Sequence, residues 1–165
     1  MKLQELTLRT VQLPLVRPYV LSYRTFTEFE PIIVEARDAD GRIGWGEGHI
    51  SPGSSSETRE GAWAFCLEYA AAIVGKDTTA AKAMIAANMG ASKVAATGLL
   101  TAIEMLEDHP LLRVDREVRL PLLTPLTAPH RRKSPKRSSG GSRMASAPSR
   151  SRSARTRMTT SGVSS

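Results

Sequence analysis

The sequence predicts an α+β fold, a three-stranded antiparallel meander followed by a helical bundle and a disordered basic tail. Three observations predict it. Before residue 50, apolar residues recur at every second position in runs bounded by Pro and Gly, the period of half-buried strands. Between residues 54 and 107 they recur every three or four positions, the period of amphipathic helices. After residue 127 the acidic residues disappear, and with them every Leu, Ile, Phe, Tyr and Trp.

The net charge of +7 over 165 residues therefore conceals two regions. Residues 128–165 hold 10 Lys and Arg and no acid, leaving 13 basic against 16 acidic residues in 1–127, a net of −3. The body is mildly acidic and carries a basic tail. Cys66 is the single cysteine and lies in a helical pattern, which excludes a disulfide framework or a Cys-based metal centre. No apolar run approaches the roughly 18 residues of a membrane span, and Met1-Lys2-Leu3-Gln4-Glu5 opens a strand pattern rather than a signal peptide. A cytoplasmic protein without membrane contact is expected.

The first strand covers 3–13, with Leu6, Leu8 and Val11 inward, and Pro14 ends it because Pro cannot donate to a ladder. Residues 15–29 form a long connection, a length typical of lids and binding loops. Arg17, Tyr19, Ser22, Tyr23, Arg24 and Phe26 lie there. Arginines with aromatics suit an anionic, partly apolar ligand; aromatics that simply pin the loop to the domain are the equal alternative. The second strand is 31–37 and the third 42–48, joined through Asp40-Gly41, a hairpin turn that uses the positive φ open to Gly. Gly44, Gly46 and Gly48 surround Trp45 and Glu47, and such a cluster admits a close backbone or a ligand. Residues 47–53, including Glu47, His49 and Ile50, are read as a loop delivered to a binding site.

Ser54 with Glu57 makes a capping box, so a helix is expected to start there, with Trp63, Leu67, Ala70 and Val74 inward and a stop at Gly75. Asp77 caps a second helix to about residue 89. A third runs over 92–107 with Val94, Leu99, Ala102, Ile103 and Leu106 as its apolar stripe, and Pro110 stops it. Residues 118–126 are extended, a strand without partners in the sequence. No Ser-His-Asp set, metal-spaced cluster, phosphate loop or dinucleotide fingerprint occurs in the body. No catalytic residue and no metal ligand is assigned.

These elements together resemble the N-terminal capping domain of the enolase superfamily, in its mandelate racemase and muconate lactonizing enzyme branch. The matching residues are Leu13-Pro14-Leu15 with Arg17-Pro18, Asp40-Gly41 with Gly44-Trp45-Gly46-Glu47, and Pro110-Leu111 before Val118-Arg119-Leu120-Pro121. The resemblance covers about residues 1–126. It departs at Arg113-Val114-Asp115-Arg116, where the family has a glycine-rich turn, and in the third helix, which lacks the family's Trp-Asp pair. The resemblance implies a lid over the mouth of a (β/α)-barrel, the end at which barrel enzymes keep their sites. Arg17, Tyr19, Ser22, Tyr23, Phe26, Glu47, His49 and Ile50 would then be its substrate-lid residues. The same resemblance implies that the barrel holds the chemistry, where a Lys or His base takes a proton α to a carboxylate and Mg²⁺ stabilises the enediolate. The implied partners are that barrel and a small carboxylate substrate, with no cofactor in this chain. The expected division is a lid domain over 1–112, a connector with the first barrel strand over 113–127, and the tail over 128–165. Such a chain is expected to be inactive alone.

The tail admits a second reading, non-specific binding of nucleic acid or acidic partners through counterion release. It has no aromatic to stack on bases, which makes nucleic acid the weaker reading. The tail also back-translates, one base over, to a stretch ending Lys-Val-Lys-Val-Gly, a period-2 strand pattern. This predicts a frameshift, with the DNA for residues 143–154 encoding a barrel strand in the neighbouring frame and 129–142 an acidic helix.

Overall fold

The computed structural model describes residues 1–114, 116–121 and 154–159. The elements in chain order are β1 (Leu3–Thr10), β2 (Leu13–Val20), β3 (Thr25–Phe29), β4 (Ile32–Asp38), β5 (Ile43–Gly48), α1 (Arg59–Ile73), α2 (Thr78–Ala87), α3 (Lys93–Leu106) and β6 (Ala154–Thr159), with a 3-10 turn at Pro110–Leu112. Met1–Arg113 and Ser151–Ser165 form one unit and Val114–Arg150 another. Of the second unit, residues 114 and 116–121 are described and hold neither helix nor strand. The expected barrel strand thus lies in no ladder over 118–121, and its remainder falls outside the described residues.

The first unit is α+β. Its main sheet is antiparallel with the order β5-β4-β1-β6, and β2 and β3 pair as a separate hairpin. Leu6, Leu8, Val34 and Ala36 meet Ala70, Ile73, Ile85, Leu99 and Ile103 in one buried cluster. Burial of this apolar surface is the main stabilising term.

The glycines of β5 explain how its helix is seated. A Cβ on Gly46 would fall on the Gly98 carbonyl and lie 2.9 Å from the Ala102 nitrogen. One on Gly44 would meet the Ala102 carbonyl, and one on Gly48 would sit 3.0 Å from the Val94 oxygen. The strand alternates exposed and buried residues, and the buried set is the three glycines. α3 therefore rests on bare strand backbone, with Gly98 and Ala102 keeping its own side small. Of the two visitors a glycine cluster admits, this one receives a backbone.

Several expectations are corrected. Pro14 lies inside β2, opposite Glu28, so β1 ends earlier, at Thr10. A hairpin margin tolerates Pro because only one strand asks for its hydrogen bonds. Residues 15–29 are hairpin rather than loop. α1 begins after Thr58, whose side chain accepts from the Gly61 N–H, and Ser54 instead donates to the Ser51 carbonyl. Glu57 caps a different helix: its carboxylate accepts from Ser92 Oγ and from the Lys93 and Val94 N–H groups at the start of α3. α1 buries Ala62, Phe65, Cys66, Ala70 and Ile73, so its inward stripe is rotated and Trp63, Leu67 and Val74 lie at its margin. Residues 154–159, placed in a disordered tail on composition, form β6 along β1. An open sheet edge supplies backbone partners, and pairing there does not require the strand's own large apolar residues.

Candidate functional site

The β2–β3 hairpin is turned by residues 21–24, where the Leu21 N–H donates to the Arg24 carbonyl at 2.8 Å. Ser22 and Tyr23 occupy the tip and are exposed. Tyr19 stands opposite Phe26 across the hairpin. Phe26 is buried, and Phe29 contacts Tyr19 and Phe26 with ring centroids 6.1 and 5.7 Å apart. The aromatic row then meets the segment that leaves β5: the His49 ring lies 4.7 Å from Phe29 and 6.3 Å from Phe26, edge-on to both. Tyr23 Oη and Ser51 Oγ are hydrogen-bonded at 3.0 Å, tying the hairpin tip to the same segment. Gly53, at φ 99°, completes the fit, because a Cβ there would touch the Tyr23 ring at 3.0 Å. Arg24 lies over the Phe26 ring at 5.3 Å.

The two segments singled out in the sequence are thus joined into one surface by Tyr19, Tyr23, Phe26 and His49. Both His49 ring nitrogens are buried with no hydrogen-bond partner among the described residues. A buried polar group left unpaired is costly, and it marks the position where a further partner would be accommodated. The remaining candidates are placed elsewhere. Ile50 is 2% exposed and belongs to the main core. Glu47 is exposed on β5 opposite Ile33, on the face away from α3. Arg17 is exposed where the β2–β3 register shifts between Pro14 and Tyr19. Phe29 and Ser51 were missed. Phe29 sits three residues after Phe26, a spacing that unbroken strand alternation sends to opposite faces.

The sheet face away from the helices carries charge. Glu35 accepts from Arg9 and Arg37, each at 2.8 Å, and Arg9 also lies over the Trp45 ring at 5.9 Å. Burial alone would raise the Glu35 carboxyl, but the two guanidinium hydrogen bonds prevail and hold it below its ordinary value of 4.5. Glu107 is lowered likewise, with burial opposed by Lys82 and Thr78. Burial pushes the Cys66 thiol up to about 12, which makes it inert. Of the ten tail cations, that of Arg157 is described, and it is paired with Glu5 at 2.7 Å. Among the described residues no group of His, Cys, Asp and Glu is placed to hold a metal ion, and no helix is long and apolar enough to cross a membrane.

No protein-family model matches the chain. Over 60 residues it is 38% identical to the L-Lys-D/L-Arg epimerase of Methylococcus capsulatus, a match covering 36% of this chain and 17% of that one. Its fold is similar to that of a mandelate racemase/muconate lactonizing protein from Herpetosiphon aurantiacus, with TM-score 0.58, 25% identity, and 66% of this chain on 31% of that chain. A dipeptide epimerase from Methylococcus capsulatus, solved with Mg and the dipeptide L-Arg-D-Lys, gives TM-score 0.54 and 28% identity, with 63% of this chain on 30% of it. The structural neighbours are thus mandelate racemase/muconate lactonizing enzyme-family and dipeptide epimerase proteins, and the matched region is under a third of each.

Proposed function

We propose that this chain, whose neighbours are mandelate racemase/muconate lactonizing enzyme-family proteins, is the N-terminal substrate cap of an isomerase or lyase of that family. The observation that carries the proposal is the joining of two segments distant in sequence, through Tyr23–Ser51 and Phe29–His49, on a domain of that fold. Such a surface excludes water from a reacting centre and shapes the room left for a substrate side chain. Tyr19 and the Phe26–Phe29 pair supply the apolar wall. His49 supplies the polar group inside it, available to a hydrogen-bonding partner once the hairpin shifts.

The reaction itself, proton removal α to a carboxylate, belongs in this reading to a barrel. The described residues offer no carboxylate cluster fit for Mg²⁺, so no step is assigned to a metal held by this chain. The described residues are accordingly expected to turn over no substrate by themselves, and the substrate is a small carboxylate such as a dipeptide.

A chimera tests this. The full chain's cap replaces the corresponding segment of the Methylococcus dipeptide epimerase, and exchange of the substrate α-proton with deuterium is followed by NMR. Retained exchange, with a changed dipeptide preference that Phe29→Ala and His49→Ala alter, supports the reading. A folded chimera whose kcat/KM is indifferent to both substitutions overturns it.

A further inference from the structure

The β1 strand has two edges. One pairs with β4. The other is met by the Gly75–Lys76 segment at Leu3 and by β6 from Glu5 to Thr10. The described side-chain link between β6 and β1 is Arg157 with Glu5. We infer that residues 154–159 guard a self-association edge, and that without them two copies of this chain pair β1 to β1 antiparallel about Thr7.

The sequence of β1, Leu-Gln-Glu-Leu-Thr-Leu-Arg-Thr, is complementary to itself. With Thr7 opposite Thr7 of the second copy, Glu5 stands opposite Arg9 and Leu6 opposite Leu8, each pair twice by symmetry. A two-fold axis through the pair makes both copies use the same surface, the usual arrangement of dimers. Alternation keeps Glu5, Thr7 and Arg9 together on the charged face and Leu6 and Leu8 together on the helix face. A register one residue away would put unlike faces together, and one two residues away would part Glu5 from Arg9, so faces and charges together select this one. Arg9 already donates to Glu35, but a guanidinium has five N–H groups and can serve a second carboxylate. Glu5 loses Arg157 when β6 leaves and regains a cation from the second copy. Within β1 the Gly75–Lys76 segment meets Leu3, so the stretch that β6 covers and would release is Glu5 to Thr10. In the intact arrangement the tethered strand prevails, because tethering gives it a high effective concentration.

The test uses the full chain. Two successive residues of a strand direct their N–H groups to opposite sides, so Thr156→Pro with Arg157→Pro removes a ladder bond whatever the phase. In sedimentation velocity this variant should associate to a dimer at least roughly tenfold more tightly than the parent. Adding Glu5→Arg should weaken that dimer roughly tenfold, since two attractive cross-strand pairs become repulsive. A variant with native circular dichroism that stays monomeric overturns the inference, and so does a dimer indifferent to Glu5→Arg. Should the proline variant not fold, Thr7→Cys and Thr10→Cys decide in a chain carrying Arg157→Glu, which replaces the attraction to Glu5 by repulsion and loosens β6. Opposed strand residues lie at disulfide distance, and buried, inert Cys66 does not compete. Slow oxidation at high concentration should cross-link copies through Thr7→Cys and leave Thr10→Cys uncoupled; equal or absent coupling at both overturns it.

Discussion

Two contacts of β5 differ in kind. Along the strand, Gly44, Gly46 and Gly48 lie against the backbone of α3, with no side chain between. Just beyond it, His49 and Ser51 meet the β2–β3 hairpin through ring edges and one hydroxyl pair. The first contact has no room to adjust, since neither backbone can rotate away. The second is made of rotatable groups, carries an imidazole without a hydrogen-bond partner among the described residues, and holds a hairpin whose β2 residues are nearly all exposed. A firm contact and a yielding one thus follow each other along one segment, where the residue type changes at position 49. The hairpin is therefore expected to open locally before the sheet.

The largest effect should come from the tight contact. Gly46→Ala places a methyl group on the Gly98 carbonyl and must push α3 off β5. A loss of about 3 kcal/mol or more is expected in urea denaturation, at the upper end for overpacking. A loss below about 1 kcal/mol would show that α3 can shift and would remove the contrast.

Next is Glu57, which lies just after the segment that meets the hairpin but acts on the scaffold. Glu57→Ala leaves Ser92 and the first N–H groups of α3 without their carboxylate. A cost of about 1–2 kcal/mol is expected, as for a lost helix cap. The hairpin amides should keep their exchange rates, so the damage reports on α3 alone.

Much of the scaffold was legible in the sequence because its signals are local. Asp77 is a helix cap at its expected place, the third helix starts within a residue of its expected start at 92, and Leu6, Leu8, Leu99 and Ile103 are core residues found by period alone. What was not legible depends on distant partners. Glu57 reads as a local capping box, yet its partner lies 35 residues away at Ser92. Phe29 meets His49 through an irregular hairpin register that no spacing announces. Ile50 reads as a loop residue because burial follows from the helices that later cover it. β6 was hidden for the same reason: its place is fixed by an open edge some 150 residues earlier in the chain, and Arg157 meets Glu5 at a separation of 152.

Acid should act on the scaffold. Glu35 and Glu107 have carboxyls held below the ordinary 4.5, so each contributes stability that is present above that value and lost as pH falls through the depressed one. Denaturation midpoints should therefore decline from about pH 5 downward. Glu35→Gln should flatten this decline while lowering stability at neutral pH, since Arg9 and Arg37 lose their charge partner. An unchanged slope would assign the acid sensitivity to other groups.

The smallest effect on overall stability, and the sharpest on the hairpin, belongs to Tyr23→Phe. The substitution removes one hydroxyl and leaves the ring against Gly53, so only the bond to Ser51 is lost. Such a bond contributes about 0.5–1.5 kcal/mol. If the hairpin opens independently, that whole amount appears in its local opening and little of it in global unfolding. Amides of β2 and β3 should then exchange roughly 2- to 10-fold faster, while those of β1 and α3 keep their rates. Ser51→Ala should reproduce the change, and the double substitution should add little, because both remove the same bond. Equal acceleration in the hairpin and in α3 would mean that cap and scaffold open as one unit, and the difference between the two contacts of β5 would carry no consequence for motion.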